Sequence, residues 1–239
     1  GLGDVYKRQG EDIFNIYAGY VVHHGGAGND IFNIYGVSNK IYGDDGDDIF
    51  NIIQGGSNTI DGGTGTNTVT GTVGTNTTIN VIGANSGSVS LTKGVEQVVN
   101  INGIDYTMST ESTTATVIYS INDSGQITFS MSSNQAIIRG DLNKKHNVSI
   151  KAGITFYGGN KGDIIDAHGA TIYLGSGNNT LKAFGTTIYG SSGNDTVSIT
   201  DGSFFYGGTG ITNLTARSLN YIESVSGTMN LSLQGDNNT

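Results

Sequence analysis

The chain has 239 residues, 39 of them Gly and none Pro or Cys, and its 35% hydrophobic and 8% aromatic content allows only a thin core. A formal charge of −9 repels phosphate backbones and attracts cations, so nucleic acid is not expected as a partner. The lack of Cys excludes a disulfide framework and a thiolate metal site. No apolar run reaches the roughly 20 residues that span a bilayer, and no signal peptide with a charged start and apolar core is visible.

Residues 1–9 are set apart first. Asp4 to Gln9 reads DVYKRQ, which looks like the in-frame translation of an adapter used in DNA library preparation, and it runs straight into Gly10-Glu11-Asp12-Ile13-Phe14-Asn15-Ile16. On this reading residues 1–9 are artefact and the chain is a fragment cut within a repeat.

From residue 10 to 71 the sequence repeats. Asn29-Asp30-Ile31-Phe32-Asn33-Ile34 recurs 18 residues later as Asp47-Asp48-Ile49-Phe50-Asn51-Ile52, and Glu11 to Ile16 precedes it by the same interval. A degenerate copy, Gly62 to Val69, follows. Alternation places Phe14 and Ile16, Phe32 and Ile34, and Phe50 and Ile52 on one strand face. The other half of each coil supplies Ile41 and Ile60 ahead of the glycine turns.

Residues 72–139 lack the glycine-turn period and read as a β-rich insertion. Ala115 to Ser120 and Gln126 to Met131, separated by Asn122-Asp123-Ser124-Gly125, have the pattern of a hairpin. Regular turns return over 140–216: Gly158 to Ile165, Gly175 to Leu181, Gly190 to Val197 and Gly207 to Gly210, with Tyr157, Tyr173, Tyr189 and Tyr206 marking the period. Core positions here are Phe156, Ile172, Ile188 and Phe205, with Val197 and Ile199 opposite. Residues 217–239, alternating in apolar character toward Leu233, are expected to cap the stack.

A unit of 16 to 18 residues divides into two short strands and two turns. Stacked units close a flattened, all-β parallel β-solenoid, in two blocks with the β-rich insertion between them. Glycine permits the positive φ of tight corners, and proline, which would break the ladders, is absent.

Gly25 to Asn33 meets the pattern G-G-x-G-x-D-x-U-x in full, and Gly43 to Asn51 meets it with Asp44 in place of one glycine. The chain thus resembles the RTX (hemolysin-type calcium-binding repeat) β-roll proteins over about 60 residues near each end. The resemblance implies Ca2+ between consecutive turns, held by Asp side chains and turn carbonyls. Carried onto this sequence, the metal positions are Asp12, Gly26, Gly28, Asp30, Asp44, Gly46, Asp48, Gly63, Gly65 and Asn67 in the first block. In the second they are Gly159, Asp163, Gly177, Asn179, Gly193 and Asp195. The turns on the other edge, such as Tyr35 to Asn39 and Ile53 to Asn58, carry no carboxylate, so ions are expected along one edge only. If Asp30 and Asp48 are equivalent in adjacent coils, their repulsion at about 4.8 Å is on the order of 3 kcal/mol, which a divalent ion would reverse. The alternative is that each Asp only caps its own turn.

Other motifs carry less. His23 and His24 point to opposite faces of a strand, so they do not share a metal. Arg139-Gly140-Asp141 is an adhesion tripeptide by chance. No phosphate-binding loop, G-x-S-x-G, H-E-x-x-H or Ser/His/Asp constellation occurs, and enzymatic activity is not expected. The resemblance implies an extracellular, secreted or cell-surface module of a larger bacterial protein, with neighbouring domains, that folds on binding calcium after export. The second expectation is a surface-binding module whose flat outward columns recognise glycan, ice or a protein.

Overall fold

The computed structural model describes residues 5–6, 9–54, 56–72, 78–82, 86–218, 220–223 and 226–235. It is an all-β chain, without a helix among the described residues, wound as a parallel β-solenoid of about 12 turns. This meets the expected fold class and is compatible with a β-roll. Two compact units are distinguished: Gly1–Asn122 with Ser132–Asn134, and Asp123–Met131 with Gln135–Thr239. Among the described residues no helix is long and apolar enough to cross a membrane.

In the first unit, Ile13–Ile16, Ile31–Ile34, Ile49–Ile52 and Thr68–Thr72 stack as parallel strands of one sheet, with Ser86–Thr92 next. Val22–Ala27, Lys40–Asp45, Thr59–Asp61 and Thr78–Ile82 stack likewise in the other. The 18-residue repeat puts identical residues in register, so Phe14 lies on Phe32 and Phe32 on Phe50. Their rings stack at 4.7 and 4.9 Å between centroids. These rings, with Ile16, Ile34 and Ile52, face Ile41, Ile60 and Val81 from the other sheet, and all nine are buried. Each such side chain contributes about 1.5–3 kcal/mol on leaving water. Of the segment 1–9 the structure describes Val5–Tyr6, paired with His23 and His24, and Gln9.

Residues 72–139, expected as an insertion, begin by continuing both sheets. Ser86–Thr92 runs parallel to Thr68–Thr72, and Gln97–Ile101 runs parallel to Thr78–Ile82. The chain then reverses at Asn102-Gly103, both at positive φ, and Ile104–Ser109 returns antiparallel to Gln97–Ile101. Thr114–Ile121 completes the reversal by pairing antiparallel with Ser86–Thr92. The core passes through this antiparallel seam: Val89 opposes Val117 and Leu91 opposes Ala115, all buried. Ala115 to Ser120 and Gln126 to Met131, read as two strands, fall within strands Thr114–Ile121 and Ile127–Ser133.

The second unit stacks Asn147–Ile150, Ile164–His168, Thr180–Phe184, Asp195–Thr200, Ile211–Arg217 and Thr228–Gln234 in parallel. The facing sheet holds Ala136–Gly140, Ile154–Tyr157, Thr171–Tyr173, Thr187–Tyr189, Phe204–Tyr206 and Tyr221–Glu223. Phe156, Ile172, Ile188 and Phe205 form one buried column, facing Ile165, Leu181, Val197 and Leu214. On the outer face, Tyr157, Tyr173, Tyr189 and Tyr206 stack at 4.5, 4.5 and 5.1 Å. The segment expected as a cap, residues 217–239, contributes Tyr221–Glu223 and Thr228–Gln234 to the two sheets.

Candidate metal centre

The strand period of two sets this site. In the repeats of residues 10–71 a polar residue stands two positions before an inward apolar residue, and so points inward as well. Asp30 precedes Phe32 in this way, Asp48 precedes Phe50 and Asn67 precedes Val69, and all three polar residues are buried. Burial so near a turn is possible because each side chain takes a main-chain donor from the previous coil. Asp12 N donates to Asp30 Oδ1 (2.8 Å), Asp30 N to Asp48 Oδ1 (2.8 Å) and Asp48 N to Asn67 Oδ1 (2.9 Å). The column is therefore a ladder between coils, not a set of local turn caps.

Asp and Asn differ in what the second atom of the head group does. Asn67 Nδ2 donates to the Thr64 carbonyl at 3.2 Å. In the second unit Asn179 Nδ2 donates to the carbonyls of Gly175 and Gly177 at 3.0 and 2.8 Å. The amide thus satisfies turn carbonyls. At Asp48 the corresponding atom is an acceptor, Oδ2, buried and with no hydrogen-bond partner. A Cβ at Gly43 would fall on this Oδ2 and lie 2.7 Å from the Gly62 carbonyl oxygen, so glycine is what lets the carboxylate approach the turn. Gly46, at φ +144, is also required by contact, since its Cβ would strike the Gly28 carbonyl below.

Burial pushes the Asp48 carboxyl up to about 6, reinforced by the charges of Asp30, Asp44 and Asp47 and opposed by the Asp30 N–H. The metal-free fold therefore holds a proton that the unfolded chain releases. Its contribution is fully present below about pH 4 and lost as pH rises through about 6, a change on the order of 3 kcal/mol. In chelator, lowering the pH from 7.5 to 5 is expected to raise β-structure in the parent chain, and to do so less in Asp48→Asn. Far-ultraviolet circular dichroism of both proteins measures this.

The remaining expected residues divide by unit. Gly26, Gly28, Gly63 and Gly65 stand at positive φ in the turns of the same edge, and Asp12 is half-buried at the start of the ladder. Asp44 also takes positive φ, and its carboxylate lies 3.1 Å from the His24 ring nitrogen. In the second unit the carboxylates are taken up by protein donors. Asp163 Oδ1 accepts from His146 N and pairs with its Nδ1, both at 2.9 Å, while Oδ2 accepts from Gly159 N at 2.9 Å. Burial raises Asp163, but these His146 and Gly159 bonds outweigh it and hold the carboxyl below its usual value. Asp195 Oδ1 accepts from Asn179 N and Nδ2, and Oδ2 from Ser191 Oγ at 3.1 Å; burial nevertheless keeps its pKa raised. Gly177 and Gly193 lie in the turns beside this column, each against the backbone of a neighbouring turn.

Two features of this framework go beyond the expected residues. His146 heads the second ladder, two residues before the core residue Val148, where a search for Asp overlooks it. The opposite edge has neutral ladders. Asn58 Oδ1 accepts from Asn39 N (2.9 Å), Asn39 Oδ1 from Val21 N (3.0 Å), and their Nδ2 atoms bond the Gly36 and Ala18 carbonyls. In the second unit Ser203 Oγ accepts from Thr186 N (3.3 Å) and Asn220 Oδ1 from Ser203 N (3.1 Å). The signal was the same offset, two residues before Ile41, Ile60, Ile188, Phe205 and Ile222.

Among the described residues no three His, Asp or Glu side chains gather into a metal cluster. A cation at the Asp48 turn would take most of its oxygens from turn carbonyls, which suits calcium better than a transition metal. No protein family and no curated protein matches the chain.

Proposed function

We propose that the chain is a calcium-binding, RTX-type repeat module whose ions sit on the Asp30 and Asp48 turn edge of the first unit. The observation that carries this reading is the buried, donorless Asp48 Oδ2 beside glycine-turn carbonyls, at the position where Asn67 and Asn179 use an amide to bond such carbonyls. A divalent cation supplies the positive charge that the carboxylate lacks and draws on the remaining lone pairs of the turn carbonyls, of which those of Asp44 and Asp45 already accept the Thr64 and Gly28 N–H groups. Asp30, Asp48 and the carbonyls around Gly43 to Gly46 would hold it, while Asp47 remains exposed outside the ladder. The opposite edge, where amides already serve the carbonyls, has no use for an ion. The second unit, whose Asp163 and Asp195 are bonded by protein donors, depends on calcium less. Under this reading the module is extracellular, remaining unfolded at low calcium and folding after export, as part of a larger secreted protein.

Adding millimolar calcium to the chelated chain is expected to increase β-structure, with magnesium much less effective. Calorimetry should place the tighter binding in the first unit, so that Asp48→Asn reduces the heat more than Asp195→Asn. Circular dichroism indifferent to both chelator and calcium would overturn the proposal.

A second reading, as a surface-binding module, is favoured by the outer columns. Asn15, Asn33 and Asn51 are joined by side-chain hydrogen bonds of 3.0 Å, and the four tyrosines form a regular strip. Because the tyrosine rings cover each other's faces, a glycan would meet hydroxyls and ring edges rather than a stacking platform. Co-sedimentation with insoluble polysaccharide, lost on replacing Tyr173 and Tyr189 by Ala, tests it.

A further inference from the structure

We infer that Tyr173 and Tyr189 form an oxidative cross-linking site, at which a one-electron oxidant of the peroxidase class joins two consecutive coils of the second unit through a dityrosine bond. The two residues are in register on adjacent parallel strands, Thr171–Tyr173 and Thr187–Tyr189, and sixteen residues apart in sequence. Their rings stack with centroids 4.5 Å apart and planes 8° from parallel. Both are half-buried on the outer face, so an oxidant reaches the ring edges while the strand ladder holds the rings together. In rings so nearly parallel, equivalent carbons are separated by about the distance between centroids. Rotation about the side-chain torsions closes that gap without moving the backbone.

The ends of the tyrosine column differ from its middle. Tyr157 stacks on Tyr173 at the same 4.5 Å, but the Arg139 guanidinium lies over the Tyr157 ring, 5.3 Å from its centroid. A cation on a ring face opposes the removal of an electron from that ring. Tyr206 stands farther from Tyr189, at 5.1 Å with planes 12° apart. Tyr221, next to Tyr206, is tilted by 52° at 5.9 Å, and its hydroxyl donates to Glu223 Oε2 at 3.0 Å. Tyr173 and Tyr189 thus combine the shorter spacing with rings that, among the described residues, no cation covers.

The chemistry balances with hydrogen peroxide as the terminal oxidant. A haem peroxidase removes one electron and the hydroxyl proton from each ring, which leaves two phenoxyl radicals with spin on the carbons beside the oxygen. These join Cε to Cε. Each joined carbon then gives up its hydrogen as a proton and each oxygen takes one up, which restores the two phenols. The pair has lost two hydrogen atoms in all, and one hydrogen peroxide carries them off in two water molecules. The chain has no Cys and so no disulfide with which to staple its coils. A bond between Tyr173 and Tyr189 closes a loop of the chain and restricts the unfolded state in the way a disulfide does.

The test uses the full chain in the buffer that gives its full β-structure, treated with hydrogen peroxide and a haem peroxidase. A Tyr17→Phe background removes the stacked Tyr17–Tyr35 pair (4.6 Å) of the first unit. Dityrosine fluorescence per molecule should grow at a rate that stays the same when the protein is concentrated about tenfold, as for a reaction within one chain. Mass spectrometry of the digest should find Tyr173 joined to Tyr189 in protein of monomer size, and the urea midpoint of the second unit should rise. Tyr173→Phe should lower the fluorescence by about fivefold or more, whereas Tyr157→Phe and Tyr206→Phe should leave most of it. Tyr20 is 78% exposed, so coupling governed by exposure alone would fall on Tyr20 and join separate molecules. If Tyr173→Phe alters the circular dichroism, the cross-linked peptide of the parent still decides. No dityrosine, a main product at any other pair, or equal yields from the parent and Tyr173→Phe would overturn the inference.

Discussion

Replacing Phe32 by Ala is expected to lower the stability of the first unit by about 3–5 kcal/mol, measured by urea unfolding in millimolar calcium. Phe32 is fully buried and lies between Phe14 and Phe50, with interplanar angles of 5° and 4°. Removing the ring therefore opens a cavity with aromatic walls above and below, and the strand spacing fixed by the ladders prevents those walls from collapsing together. In a stack of coils each unit is held mainly by its neighbours, so damage to the middle coil weakens both interfaces at once. Set against the roughly 5–15 kcal/mol that a domain usually has, the loss should cost the first unit much of its cooperative unfolding. Phe32→Leu, which keeps apolar volume, should cost less than half as much. Ile31→Ala, on the outer face of the same strand, should cost under about 1 kcal/mol. Equal effects of Phe32→Ala and Ile31→Ala would mean that the aromatic column is not the core of this unit.

The residues that could be read in advance are those whose role repeats. Phe14, Phe32 and Phe50 share one face by alternation and one register by the 18-residue interval, and either signal alone points inward. The same holds for Ile41 and Ile60, and for Phe156, Ile172, Ile188 and Phe205. What alternation does not encode is the direction of pairing. Ser86–Thr92 alternates equally well for a parallel partner and an antiparallel one, and it has one of each. The local cue was Asn102-Gly103, the dipeptide of a two-residue hairpin, flanked by Ile101 and Ile104. For the candidate site, the resemblance directed attention to Asp and Gly and away from the more general rule. Any small polar or imidazole group two residues before a core position can serve in a ladder, as His146, Asn39 and Ser203 do. Whether a carboxylate in that column is left for a metal depends on donors about 16 or 17 residues away, such as His146 for Asp163. Sequence spacing alone does not reveal those hydrogen bonds.

Asp48→Asn should change stability in opposite directions with and without calcium. In chelator at pH 7 the parent holds a buried carboxylate whose pKa is pushed up to about 6, largely by burial. The amide removes that cost, on the order of 3 kcal/mol, and keeps an Oδ1 to accept the Asp30 N–H. It also brings an Nδ2 that can serve a turn carbonyl as Asn67 does for Thr64. The variant should therefore retain more β-structure than the parent when metal-free. With calcium the order reverses, because the amide offers only a neutral oxygen and ligand charge helps to set affinity; the calcium midpoint should rise severalfold. Asp47→Asn is the control on the same turn. Asp47 is exposed, its Oδ1 accepts from Thr66 N at 2.6 Å and its N–H donates to Asn29 Oδ1 at 2.8 Å, and an amide oxygen can accept the same bond. Its curves should lie near the parent's in both conditions. If Asp48 served only as a hydrogen-bond acceptor in the ladder, the Asp48→Asn substitution would stabilise the metal-free chain and leave the calcium midpoint unmoved. Calcium titrations of the three proteins, followed by circular dichroism from the same chelated start, separate these outcomes: parent and Asp48→Asn curves that cross support the metal site, and curves that run parallel reject it.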